Sequence, residues 1–464
     1  MKKRFGQVVS LPDGVTVARQ ILVLFVMVQI HVGQPVSSKS RSIGRGTMET
    51  SIMAVSAGLQ REYLRLREAF SERRFDPFGP ACMLILAFLG VLFIRSAQLY
   101  TGGTQWQMQV IWMVVGLGAY AVMSSFNYRR LLDQGHWIYA AGIALLLLVW
   151  TPMGTEMFGA RRWINLGFMR VQPVEFAKVA TLIFAAGILA RSRVGSVSES
   201  MTTLTKFSMV FAIPILLIFI QPDLGSSLVF PPMAFALLYV SKLSSRFFIT
   251  VFGLLLLLVA VVGFDVYRYY QHTYGVQEIA AAEHVSYEEK RILPLRNYQR
   301  ERILTFVAPD LVDPRGTGNS WNLWQSKISV GLGGAFGQGF GQSTQARLGY
   351  LPSGVAHNDF IFAVLAEETG FLGSVFVIGL FSLLIVNGIR IAGMAGDRFG
   401  MYLAVGVSVI FLVHLFINVG MTMGITPITG LPLPFLSYGG SFMLGCCILQ
   451  GLVQSVYRYR RDFA

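Results

Sequence analysis

Charge is scarce in this chain. Only 13% of its 464 residues are Asp, Glu, Lys or Arg, against about 25% in ordinary globular domains. With 54% hydrophobic residues and a mean hydropathy of +0.57, the chain cannot hide its apolar side chains in one soluble core. Surface scaling leaves too few polar residues to cover such a core. Cysteine is nearly absent too: Cys82, Cys446 and Cys447 lie in apolar runs without disulfide or zinc spacing and read as small apolar fillers. There is no HExxH, and the glycine run VGLGGAFGQGFGQ fits neither GxGxxG nor a Walker lysine motif. Metalloprotease and nucleotide chemistry are therefore unsupported. What remains is an all-α polytopic membrane protein.

A bilayer core about 30 Å thick needs about 20 mainly apolar residues per helix. About ten segments qualify, near 78–97, 107–125, 136–151, 172–190, 207–220, 222–240, 246–264, 360–389, 401–423 and 435–457. The fifth and sixth nearly touch at Gln221-Pro222-Asp223. Lys and Arg set the orientation. Arg129 and Arg130, Arg191, Arg193 and Lys206, Lys242 and Arg246, Arg390 and Arg398, and the tail arginines 458, 460 and 461 all share one side if both termini are cytoplasmic. The net charge of +14 is then a topology signal and implies no nucleic-acid partner.

Residues 76–464 form the membrane domain, with one large extracytoplasmic loop, about 265–358, between helices 7 and 8. Gly333, Gly337 and Gly341 recur every fourth residue in that loop; on a helix they would make a flat packing face. Residues 1–75 form a cytoplasmic extension, partly disordered. A basic linker, SSKSRSIGRG, precedes an amphipathic juxtamembrane helix, LQREYLRLREAFSERRF. Met48 offers an alternative start.

The few charges near or inside spans stand out, because each costs several kcal/mol unless paired or hydrated. Glu175 and Lys178 share a face of the fourth helix, and Asp223 opens the sixth. They read as an ion-pair network, a polar cavity wall or a proton relay. GARRWINLGFMRVQP brings Arg161, Arg162 and Trp163 to the outer face, where they meet lipid head groups or form an anion site. GITPITGLPLPFLSYGGS, rich in proline and glycine, cannot be one continuous helix. It reads as a re-entrant or tightly folded segment against protein or a wet cavity. His357-Asn358-Asp359 stands at the mouth of the eighth span, and on position alone Asp359 is a helix N-cap. Glu367 and Glu368 follow two turns deeper, about 80° and 180° around the helix from Asp359. They are expected to line a cavity or pair with basic residues. His357 with Asp359 is too sparse for a metal site.

Five segments in order, GARRWINLGFMRVQPVEFAK, QPDLGSSL, NYQRERILTF with WQSKISVGLGG, HNDFIFAVLAEETGFLG and GLPLPFLSYGGS, resemble the SEDS (shape, elongation, division, sporulation) proteins. RWINLGFMR and the loop around NYQRERIL are most similar to the rod-shape (RodA) subgroup rather than the division (FtsW) subgroup. The resemblance runs from about residue 76 to the end. It implies a peptidoglycan glycosyltransferase of the bacterial inner membrane that polymerises lipid II on the outer face. It also implies work beside a class B penicillin-binding protein and other elongation-complex membrane proteins. The family's essential acid, in a His-Thr-Asp-Phe motif, matches Asp359 in His357-Asn358-Asp359-Phe360. Asn358 replaces the usual Thr, and PSGVAH is longer than the family's Pro-Glu-Arg-His.

On that footing Asp359 is the general base of an inverting transfer. Arg161, Arg162, Trp163, Lys327, Arg347 and His357 are candidate substrate contacts, and Glu175, Lys178, Asp223, Glu367 and Glu368 form an intramembrane polar network. No cofactor and no resident metal are evident, and the chemistry leaves room for a divalent cation at the diphosphate. Two effects oppose each other at Asp359. A helix N-terminus favours the carboxylate, and burial disfavours it. The rival functions are a transporter that flips lipid II and a non-catalytic scaffold.

Overall fold

The computed structural model describes residues 74–461 apart from 158–159, 168–169, 193–196, 274–292, 294, 296, 314–315, 317, 319 and 352–355. The N-terminal extension with its expected amphipathic helix thus lies outside the described residues. The helices are α1 (Phe78–Gln98), α2 (Gln105–Ser125), α3 (Arg130–Leu148), α4 (Pro173–Arg191), α5 (Val197–Ile220), α6 (Leu224–Ser227), α7 (Phe230–Val240) and α8 (Ser245–Thr273). They continue with α9 (Asn297–Val307), α10 (Pro309–Val312), α11 (Trp321–Leu332), α12 (Thr344–Arg347), α13 (Ile361–Gly393), α14 (Arg398–Met423) and α15 (Gly440–Arg458). Nine of the described helices are long and apolar enough to cross a bilayer, and the chain is a multi-pass membrane protein. The sixth expected span, 222–240, is shorter and broken: α6 ends before Phe230, where Pro231 and Pro232 open α7. Pro can start a helix but cannot continue one.

Most residues of α4, α14 and α15 are buried, whereas none in the apolar window of α8 is. The first three form the inside of the bundle, and α8 turns its Leu254–Val259 run outward, as a helix facing lipid would. Small residues set the helix spacing. A Cβ on Gly142 of α3 would stand 2.8 Å from the Ala180 methyl of α4, so these backbones approach as closely as side chains permit.

One element departs from an all-α chain. Between α3 and α4 runs a three-stranded antiparallel sheet of β1 (Gly154–Met157), β2 (Ala160–Asn165) and β3 (Arg170–Val171), with Thr155 opposite Trp163 and Ile164 opposite Val171. The β1–β2 register skips Arg162, between the Thr155–Trp163 and Glu156–Arg161 pairs, so Arg162 is the extra residue of a bulge, a device that re-aims a side chain.

Helix α13 is two helices joined at Gly370, whose φ of 68° and ψ of −162° are non-helical. The break frees backbone groups that must find partners inside the protein. The glycine run supplies them. Gln338 and Gly339 N–H donate to the Glu367 and Glu368 carbonyls at 2.9 and 3.0 Å. Phe371 and Leu372 N–H donate to the Gly334 and Ala335 carbonyls at 2.9 and 3.2 Å. The expected glycine helix does not form: α11 ends at Leu332, and Gly334, Gly337, Gly339 and Gly341 all take positive φ. Backbone pairing with the broken helix outweighs a further helical turn.

A Cβ at Gly370 would fall 2.3 Å from the Gly337 nitrogen. Gly370→Ala should therefore cost more than about 3 kcal/mol, seen as a large fall in melting temperature in detergent. Gly379→Ala, where nothing lies within 4 Å, should stay within about 1 kcal/mol of the parent or stabilise it.

Candidate active site

Asp359 stands just ahead of α13 at the end of the bundle that carries the sheet and α9–α12. It does not cap the helix. Phe360 occupies the N-cap position without a side-chain cap bond, and among the described residues nothing donates a hydrogen bond to the Asp359 carboxylate. The carboxylate is half-buried, and burial pushes its pKa up to about 6 from the ordinary 3.8. The charges of Arg302 and Arg162 pull that value down, and Asp223 pushes it up. Of the two opposing effects expected at this position, burial prevails over the helix terminus.

Arg162 reaches back from β2 to Asp223, 3.7 Å away, and Gln172 Nε2 donates to the same carboxylate at 3.3 Å. Asp223 is held by its own turn as N-cap of α6, accepting from Ser226 N–H at 3.2 Å and Ser226 Oγ at 2.9 Å. Arg302 sits on α9, where sequence reading did not single it out. Its neighbour Arg300 is buried, 2.8 Å from Asp265 near the end of α8. Two residues apart on a helix, the arginines point to different sides, and Arg302 is exposed. The R-E-R spacing inside NYQRERILTF was the available signal.

The other expected contacts have their own neighbours among the described residues. Arg161 takes different partners from Arg162 and donates to the Gly154 and Thr151 carbonyls at 3.1 and 2.9 Å, so it braces the sheet. Trp163 is half-buried in β2, and its carbonyl accepts from Thr155 Oγ1 at 3.3 Å. Lys327 lies 5.4 Å from the Trp324 ring, under Gly424. Arg347 is exposed at the end of α12. His357 is buried against Tyr438, ring centroids 5.4 Å apart, and its carbonyl accepts from Tyr438 N–H at 3.0 Å.

The Gly424–Gly439 stretch is irregular, as expected of its prolines, and folds down over Asp359. Ser437 Oγ donates to the Asn358 carbonyl at 2.7 Å and accepts from Leu433 N–H at 2.8 Å. Gly430 takes φ +74°, and a Cβ there would stand 3.2 Å from Asp359 Oδ2. The carboxylate thus lies against the backbone of this segment.

Glu175 and Lys178 do pair, at 2.9 Å, both buried near the start of α4. Glu367 finds hydroxyls and N–H groups rather than the expected basic residue or cavity. Ser329 Oγ and Ser343 Oγ donate at 2.8 Å each, and Thr344 and Gln345 N–H at 2.6 and 3.2 Å. Four donors satisfy a buried carboxylate without a cation. Glu368 accepts from Ser96 Oγ. Among the described residues no three His, Cys, Asp or Glu side chains gather as a metal site.

Comparison with known proteins places the chain. The family model "Cell cycle protein" (FtsW, RodA, SpoVE) matches residues 78–462. The chain belongs to the FtsW/RodA/SpoVE family. It is 33% identical over 432 residues to peptidoglycan glycosyltransferase RodA of Treponema pallidum, covering 82% of this chain and 97% of that one. It is 33% identical over 387 residues to peptidoglycan glycosyltransferase MrdB of Escherichia coli K12, covering 83% and 94%. A chain in a solved structure described as "Structural coordination of polymerization and crosslinking by a peptidoglycan synthase complex" superposes with TM-score 0.66 at 26% identity, covering 84% of this chain and 99% of that one. The RodA crystal structure from Thermus thermophilus shares the fold, with TM-score 0.57.

Within this FtsW/RodA/SpoVE bundle the Glu175–Lys178 pair has a definite energetic signature. Removing one partner strands a buried charge, so Lys178→Met should destabilise by about 3–5 kcal/mol. The double variant Glu175→Gln, Lys178→Met should recover most of that loss in thermal melting, because no uncompensated charge remains.

Proposed function

We propose that this chain is a peptidoglycan glycosyltransferase that polymerises lipid II at the outer face of the bacterial inner membrane, for cell elongation and shape. The observation that carries the reading is one half-buried carboxylate, Asp359, set against the Gly430 backbone and within the fields of Arg162 and Arg302, in a chain of this family. Asp359 takes the proton from the acceptor sugar 4-hydroxyl. That oxygen forms the bond to C1 of the donor sugar as the bond from C1 to the lipid diphosphate breaks, with inversion. The leaving diphosphate keeps the electron pair, and Arg162 and Arg302 neutralise its charge. Arg161, Trp163, Lys327, Arg347 and His357 act as outer contacts or braces around that centre. The reaction needs no resident cofactor. A divalent cation arriving with the diphosphate would be held by the substrate's own oxygens.

A polymerase of this kind works beside a class B penicillin-binding protein, which crosslinks the strands, and beside other membrane proteins of the elongation machinery. The likeness to a chain of a peptidoglycan synthase complex supports that partnership.

The test is purified protein with labelled lipid II, alone and with a class B penicillin-binding protein, scored for glycan chains. Movement of lipid II across vesicles without chains would favour a flippase instead. Asp359→Asn should lower the polymerisation rate by about 10²–10⁴-fold. The base works only when ionised, so the parent rate should climb with pH through about 6 and level off above it. Folding has the opposite sign. A pKa raised from 3.8 to about 6 means the folded form binds the extra proton in that window, so stability falls as pH rises through it. At pH 8, Asp359→Asn should therefore melt at a higher temperature than the parent while polymerising about 10²–10⁴-fold more slowly.

A further inference from the structure

Two uncharged polar side chains lie inside the apolar helix α14, one turn apart on one face: His414 and Asn418. Asn418 is fully buried. Its single amide nitrogen donates to the Asp359 carbonyl at 2.8 Å and to the Leu431 carbonyl at 2.7 Å. Both amide hydrogens are thus used on carbonyls from two separate segments, and the opposite amide orientation would set oxygen against oxygen. Its own Oδ1 is buried without a partner. An orphaned buried acceptor is costly, so this orientation is kept against that cost.

His414 Nδ1 stands 2.8 Å from the Pro432 carbonyl. A carbonyl only accepts, so Nδ1 carries the hydrogen and Nε2 is left to accept from Lys178 Nζ, 3.1 Å away. Lys178 in turn pairs with Glu175. One chain of contacts therefore runs from α4 through His414 to Pro432. The neighbouring carbonyls of Leu431 and Pro432 and the carbonyl of Asp359 are all pinned to one face of α14. Gly430, next in line, lies against the Asp359 carboxylate.

We propose that Asn418 and His414 are positioning residues. They lock the Asp359 turn and the 430–432 backbone in register, so that the carboxylate faces the reacting hydroxyl. The inference rests on the reading of Asp359 as the base. Lys178 and Glu175 orient the His414 ring, as an outer partner orients an inner one. A displacement of about 1 Å at a reacting group costs about 10²-fold in rate, so loss of these bonds should act on turnover more than on substrate binding.

The test uses the full chain in lipid nanodiscs. In Asn418→Ala, hydrogen exchange should speed up in the stretches 356–361 and 430–438, with α2 unchanged. The kcat per folded molecule should fall at least about tenfold while KM stays within about twofold. His414→Asn, which keeps a donor near the Nδ1 position, should retain kcat within about threefold, whereas His414→Leu should fall like Asn418→Ala. Unchanged exchange in both stretches would overturn the proposal. So would faster exchange with kcat held within about twofold, or a fall in kcat/KM carried by KM. Should Asn418→Ala fail to fold, the contrast between His414→Asn and His414→Leu decides on the same criteria. Absence of chains from the parent protein would sink the polymerase reading, and the exchange arm would still decide whether the two segments are coupled through Asn418.

Discussion

Backbone that breaks inside an apolar bundle must recover its hydrogen bonds from protein, because lipid offers none. Two breaks in this chain obey that constraint, and the candidate site lies between them. At Gly370 the glycine run folds against α13 and pairs with the carbonyls and N–H groups on either side of the kink. At 424–439 the proline-rich segment hangs from Asn418 and His414, and its own Ser437 donates to the Asn358 carbonyl. The half-helix between Ile361 and Thr369 is thereby clamped at its far end by Glu367 and the glycine run and at its near end by Asn418. Asp359 stands at that near end.

Charge follows the same economy of partners. Glu175 and Lys178 answer each other, Glu367 is answered by hydroxyls and N–H groups, and Asp223 by its own turn and Gln172. Asp359 is the exception among these acids: its carboxylate has neighbouring charges but no hydrogen-bond donor among the described residues. Burial raises its pKa.

Much of this was legible in the sequence. Span limits such as 78–97 and 401–423 agree with Phe78–Gln98 and Arg398–Met423 to within a few residues, since twenty apolar residues are a local property. The irregular segment before the last helix was legible from its prolines, and Asp359 from its motif. Less was visible where partners are remote in the chain. The sheet needs Thr155 to meet Trp163, eight residues on. The glycine run reads as helix until the broken α13 is beside it. Arg302 looks like any loop arginine until Arg300 anchors α9 through Asp265. His414 and Asn418 carried a signal, polar side chains inside an apolar span, that a search for charge alone passes over.

By itself the sequence determined the membrane-spanning class, the order of the helices and the identity of the acid at the mouth of α13. Hydrophobic run length and a five-part motif are carried by neighbours in the chain. Tertiary structure alone decided which arginines act on Asp359, that Glu367 needs no cation, that α13 breaks at Gly370, and that one asparagine holds two segments together. Those outcomes depend on which side chains and carbonyls from distant helices arrive within hydrogen-bonding reach, and no local pattern encodes that distance.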